Sequence, residues 1–171
     1  MVALRVAPLV LVAAVVQVSI VSGVRVLEAE PDLLLLTVIA IGLLRGSIVG
    51  SSAGFVAGLL VDVMTLGTLG VTSILLTVAG YLAGRYGETT GRGRAYAPSL
   101  TAFVVTILVA LGGAMLNFML GVPVASGEVL RSVVPSSLLA AILILPVHRA
   151  CRFVLGSGAP AGPRLREVEV V

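Results

Sequence analysis

From Leu33 to Asp62 the chain reads LLLLTVIAIGLLRGSIVGSSAGFVAGLLVD. Two apolar runs, Leu33–Leu44 and Gly46–Val63, are parted only by Arg45. Within the second run Gly46, Gly50, Gly54, Gly58 and then Asp62 recur every four residues. On a helix that spacing puts them on one face. Glycine removes the side chain that would hold a second helix away, so this face is expected to pack closely, with van der Waals contact as the source of attraction. The plainer outcome is packing inside the chain; the functional one is contact with a partner's helix.

Working outward, four more apolar segments flank this stretch: Val6–Val24 before it, then Leu66–Gly84, Ser99–Gly121 and Val129–Val147 after it. Most reach the roughly 17–25 residues needed to cross the hydrocarbon core of a bilayer. Of the 171 residues 58% are hydrophobic and 11% charged, against roughly 25% charged in an ordinary soluble domain. Too little polar surface remains to face water on every side. The expected fold is therefore an all-α integral membrane protein: a six-helix transmembrane bundle with short loops. Residues 1–155 form the single transmembrane domain and 156–171 a flexible cytoplasmic tail of Gly, Pro, Ala and alternating charge.

The segment Leu33–Leu44 is the short one. Its 12 residues make about 18 Å of helix, so it extends through Pro31, crosses a locally thin membrane, or joins the next run as one bent insertion. Charge placement favours six crossings with both termini cytoplasmic. The inner side then holds nine arginines (Arg5, Arg45, Arg85, Arg92, Arg94, Arg149, Arg152, Arg164, Arg166) and the outer side two, Arg25 and Arg131. Five crossings would strand Arg45 within the membrane, at a cost of at least about 2.5–3.5 kcal/mol.

Other residues read as structural first. Gly70, Ser73, Thr77, Gly80 and Gly84 make a matching small-residue face on the fourth segment, and a short connection makes the third and fourth segments antiparallel neighbours. Asp62 borders a helix, where it anchors a turn at the outer surface; a proton relay would want a second titratable group at membrane depth. Gln17 and Asn117 are candidates for hydrogen bonds between helices. Pro135 interrupts the last segment, with Ser136 and Ser137 placed to satisfy freed backbone groups.

Catalytic chemistry finds no footing in the sequence. Cys151 and His148 are the one cysteine and the one histidine, so the Cys/His zinc sites cannot be assembled. No nucleophile elbow is present, and Gly91-Arg92-Gly93 is too short for a phosphate loop and lacks the following Lys-Ser/Thr. No metal or cofactor is expected. The basic balance of 11 arginines against eight acidic residues is accounted for by membrane topology, not nucleic-acid binding.

The stretch Pro31–Arg85 also carries a resemblance. Pro31-Asp32 leads the second segment, Ala53-Gly54-Phe55-Val56-Ala57-Gly58-Leu59-Leu60-Val61-Asp62 forms a G-F-x-x-G-L-x-x-D run, and Leu69-Gly70 and Gly80-Tyr81-Leu82-Ala83-Gly84 follow. This is similar to the MreD family of rod shape-determining membrane proteins. The resemblance implies a non-enzymatic, multi-pass subunit of the bacterial cytoplasmic membrane. It implies the partners MreC, RodA with a class B penicillin-binding protein, indirectly the actin-like MreB, and membrane lipids. Gly54, Gly58 and Asp62 would be its family-typical residues. More distantly, the chain resembles the vitamin-binding subunits of energy-coupling-factor transporters. Against that alternative, aromatics are 4% of residues and there is no Trp, whereas small-ligand pockets are usually lined by aromatics and a few polar groups.

Overall fold

The structure is a computed structural model that describes residues 8, 11–13, 15, 32–65, 68–90, 97–121 and 126–155. Five helices are bounded within it: α1 (Leu33–Arg45), α2 (Ser47–Thr65), α3 (Val71–Thr90), α4 (Ala97–Met119) and α5 (Ser126–Leu155). Residues 8, 11–13 and 15 of the expected first segment are helical as well. The described residues contain helices and turns and no strand. Gln17, Pro31, residues 91–96 and the tail 156–171 lie outside the described residues.

The short segment is the centre of the molecule. Ten of the 13 residues of α1, Leu34 to Leu43, are buried without a break, and α1 touches all four of the other bounded helices. A helix apolar on every side is either enclosed by others or set in lipid, and the unbroken burial of Leu34 to Leu43 makes α1 the enclosed kind. Its length is thereby explained: about 20 Å of helix need not reach both membrane surfaces when its ends and flanks are covered by protein. Asp32 starts it, with Oδ1 accepting from the Leu35 N–H at 2.9 Å. Gly46 ends it, its N–H donating to the Gly42 carbonyl at 2.8 Å.

Gly46 is also the whole joint between α1 and α2. Its φ of 95° lies where L side chains rarely go, and its carbonyl accepts from the Gly50 N–H at 3.0 Å to begin α2. It therefore stands between the helices, and not on the α2 face where the sequence put it. Gly70, with φ 99°, likewise belongs to the turn before α3, so that α3 starts at Val71 instead of Leu66. The same helix ends at Thr90, beyond the expected Gly84, which makes Arg85–Thr90 helical, not loop. Likewise α5 runs through Pro135 and Pro146 to Leu155. His148 and Cys151, beyond the expected end at Val147, are thus inside the helix. Beside Pro135, the Ser137 hydroxyl donates to the Val134 carbonyl at 2.9 Å.

On α2 and α4 the buried and exposed faces invert those of a water-soluble bundle. On α2 the buried face is Ser47, Gly50, Ala53, Gly54, Ala57, Gly58 and Asp62, while Ile48 is 82% exposed and Phe55, Val56, Leu59 and Val63 also point outward. On α4 Leu100, Val104, Leu108, Leu111, Met115 and Phe118 form an exposed row at steps of three and four. Small and polar side chains inside with large apolar ones outside is the arrangement that a hydrocarbon surround rewards. Ser47–Thr65, Ala97–Met119 and Val133–Phe153 are long and apolar enough to cross a membrane, and Leu33–Arg45 is a shorter apolar helix.

Candidate functional site

The small-residue faces converge where α2 and α3 pack. A Cβ built on Gly50 would sit 2.5 Å from the Gly80 carbonyl oxygen and 2.7 Å from the Gly42 Cα. Built on Gly54 it would fall on the Leu76 carbonyl, on Gly58 upon the Ser73 backbone, and on Gly84 upon the Ser47 backbone. The paired numbers fall on α3 as they rise on α2, so the two helices are antiparallel. Backbone meets backbone along the whole pair, an approach that only glycine permits. The four-spaced face of α2 is therefore occupied by α3 of the same chain.

Gly42, Gly50 and Gly80 bring α1, α2 and α3 together at one point, since a Cβ on Gly42 would lie 2.7 Å from the Gly80 carbonyl. Sequence reasoning passed over Gly42. The signal was present, because the spacing of four runs back from Gly46 to Gly42, but the break at Arg45 hid it.

Carboxylates close both ends of the pair reciprocally. Asp62, on α2 and only 3% exposed, accepts from the Gly70 N–H through Oδ2 at 2.7 Å, immediately ahead of α3. Glu88, on α3, accepts through Oε1 from the Ser47 N–H at 2.8 Å and from its hydroxyl at 3.0 Å, at the first residue of α2. A negative group at a helix N-terminus satisfies a donor that has no partner in its own helix and complements the helix dipole. The Arg85 guanidinium lies 3.9 Å from Glu88 Oε2, an exposed pair that contributes little. Glu88 has no role in the sequence reading because it lies beyond Gly84, where the expected segment ends. One end of the pair thus gathers Arg45, Arg85 and Glu88, and Asp62 marks the other; Asp32, at the N-terminus of an α1 running parallel to α3, lies toward the Asp62 end.

Elsewhere the chemistry is sparse. Among the described residues no three His, Cys, Asp or Glu side chains come together to hold a metal. Cys151 is buried. Asn117, expected to bond between helices, instead donates from Nδ2 to the Gly113 carbonyl of its own helix at 2.9 Å. A groove of about 270 Å³ between α3 and α4 is lined by Leu, Val, Ala, Gly and Met residues, with no aromatic or charged side chain. Phe55, Tyr81 and Phe118 point outward, the last 78% exposed.

Comparison with known families decides what this architecture belongs to. The family described as rod shape-determining protein MreD matches residues 1–154. The chain belongs to the MreD family. No curated protein and no solved structure matches it. MreD-family membership brings a role in rod shape determination and a membrane setting, which the outward apolar rows of α2 and α4 fit. MreD is a shape-determining structural family, not a known enzyme family. In this MreD-family chain the G-F-x-x-G-L-x-x-D run is the α2 half of the packed pair: its glycines touch α3 and its aspartate reaches the residue before α3.

Proposed function

We propose that this chain is a non-enzymatic scaffold subunit of the cell-elongation complex, multi-pass in the bacterial cytoplasmic membrane. It binds MreC and helps to organise RodA, a class B penicillin-binding protein and, indirectly, MreB. The observation that carries the reading is the α1–α2–α3 core. Three backbones meet at glycines, and carboxylates tie both ends of the α2–α3 pair. Such a core holds helix angles fixed while the large apolar side chains of α2, α4 and α5 are left to face lipid or a partner's helix. Six crossings with both termini cytoplasmic follow from the arginine distribution. Arg45 and Arg85 at one end of the core and Asp32 and Asp62 toward the other support that orientation. Gly50, Gly54, Gly58, Gly80 and Gly84 serve the scaffold as packing residues, and Gly46, Gly70 and Asp62 as its joints.

Co-purification of the tagged full chain in mild detergent, with identification of what accompanies it, tests the proposal. Recovery of MreC is expected. Recovery instead of an ATPase and a coupling subunit would replace the scaffold with a transporter's substrate-binding subunit.

A further inference from the structure

Where α1 begins, three helices leave a narrow recess. Asp32 borders it from α1, Thr106 from α4 and Ser136 from α5, with Leu35, Leu36 and Leu143 supplying apolar walls. It offers about 20 Å³ to the centre of a water molecule. By that measure one water needs about 10–15 Å³, together with two to four polar partners. The recess is thus sized for one water, and three side chains able to hydrogen-bond border it.

Thr106 is the side chain that sets the recess apart. It is only 9% exposed, and its Oγ1 has no hydrogen-bond partner among protein atoms. Thr37, Thr65, Thr77 and Thr101 each donate to the carbonyl four residues back, at 2.6–2.8 Å. That local bond is the ordinary way for a helical threonine to satisfy its hydroxyl where water is scarce. Thr106 forgoes the equivalent bond to Ala102, and a buried hydroxyl left without any partner carries its full desolvation penalty. Asp32 adds acceptor capacity. Its Oδ1 takes the Leu35 N–H at 2.9 Å, and its second oxygen has lone pairs left to accept with.

We propose that the recess is a single-water site. The water accepts from the Thr106 hydroxyl, donates to the Asp32 carboxylate and has the Ser136 hydroxyl as its third partner. It would join the N-terminus of the central helix to α4, the bounded helix that α1 touches least, and to α5. A calcium ion is a poor occupant, since it takes about six to eight oxygen ligands.

Thr106→Val keeps the shape of the side chain and deletes the hydroxyl, and the sign of its effect is diagnostic. If the site is hydrated, the variant strips the water of a partner, and the melting temperature of the purified full-length chain in detergent falls by about 2–4 °C. If the recess is dry, the variant removes an unsatisfied polar group and the melting temperature rises, which would overturn the proposal. Thr106→Ser, which restores the hydroxyl, should recover stability relative to Thr106→Val; no recovery counts against the water. Asp32→Ala combined with Thr106→Val should destabilise by less than the sum of the two single changes, because either one removes a partner from the same bridge while the lost helix cap cancels in the comparison. Strict additivity would show that the two residues do not share a water. A melting temperature that rises in sodium chloride but not in choline chloride would replace the water with a cation.

Discussion

At the scale of the residue, two kinds of glycine do different work. Gly54 has an ordinary helical backbone, and the Leu76 carbonyl stands where its Cβ would go. Backbone cannot step aside as a flexible side chain can, so Gly54→Ala should destabilise by about 1–3 kcal/mol and Gly54→Leu should abolish folding. Gly70 is the reverse case. Nothing lies within 4 Å of its missing Cβ, and its φ of 99° is the whole constraint. Gly70→Ala should therefore cost about 1–2 kcal/mol, and Gly70→Leu little more than Gly70→Ala. Denaturation of the purified variants in mixed detergent, read by circular dichroism, checks both. Equal sensitivity of Gly54 and Gly70 to side-chain size would refute the distinction.

At the scale of the element, α1 and α4 are both apolar but face different surroundings. Ile39 of α1 is fully buried among protein side chains, whereas Leu108 of α4 is 48% exposed. Ile39→Ala should cost about 2–5 kcal/mol through lost contacts and a cavity. Leu108→Ala, which exchanges one apolar surface for another against lipid or detergent, should stay within about 0.5 kcal/mol. Thermal denaturation of the two variants side by side is the measurement, and a comparable loss at Leu108 would mean that the outer face of α4 is covered after all. The element also explains why its sequence misled. A run of 12 apolar residues looks too short only if lipid is its surroundings, and α1 is surrounded by other helices.

At the scale of the whole molecule, the orientation proposed from charge is open to direct labelling. Cys151 is the one cysteine, so Cys151→Ser supplies a thiol-free background. Cysteines introduced at Glu30 and at Gly91 should then react oppositely with a membrane-impermeant reagent in intact cells: Glu30 labels, and Gly91 does so only after the membrane is opened. The opposite pattern would invert the topology. The glycine-packed core is unaffected by that outcome, because contacts between helices do not depend on which side of the membrane either end faces.

That this chain is helical and built for a membrane is legible from its residues, because apolar content and run length are local sums that need no knowledge of contacts. The sequence also carries the four-residue glycine spacing, which the geometry of a single helix turns into a small-residue face, and the run shared with the MreD family. Packing between helices put α3 over this face, brought Gly42 to it, and made α1 the helix that all the other bounded helices touch. It also fixed the helix ends at Val71 and Leu155, and set Glu88 against the start of α2. The physical reason lies in the solvent. In water, a hydropathy pattern tells inside from outside; in a bilayer both are apolar, so hydropathy cannot say which face meets protein and which meets lipid. That choice rests on complementary shape between segments distant in sequence, and on polar groups such as Asp62 and Glu88 that find their partners only once the helices have packed.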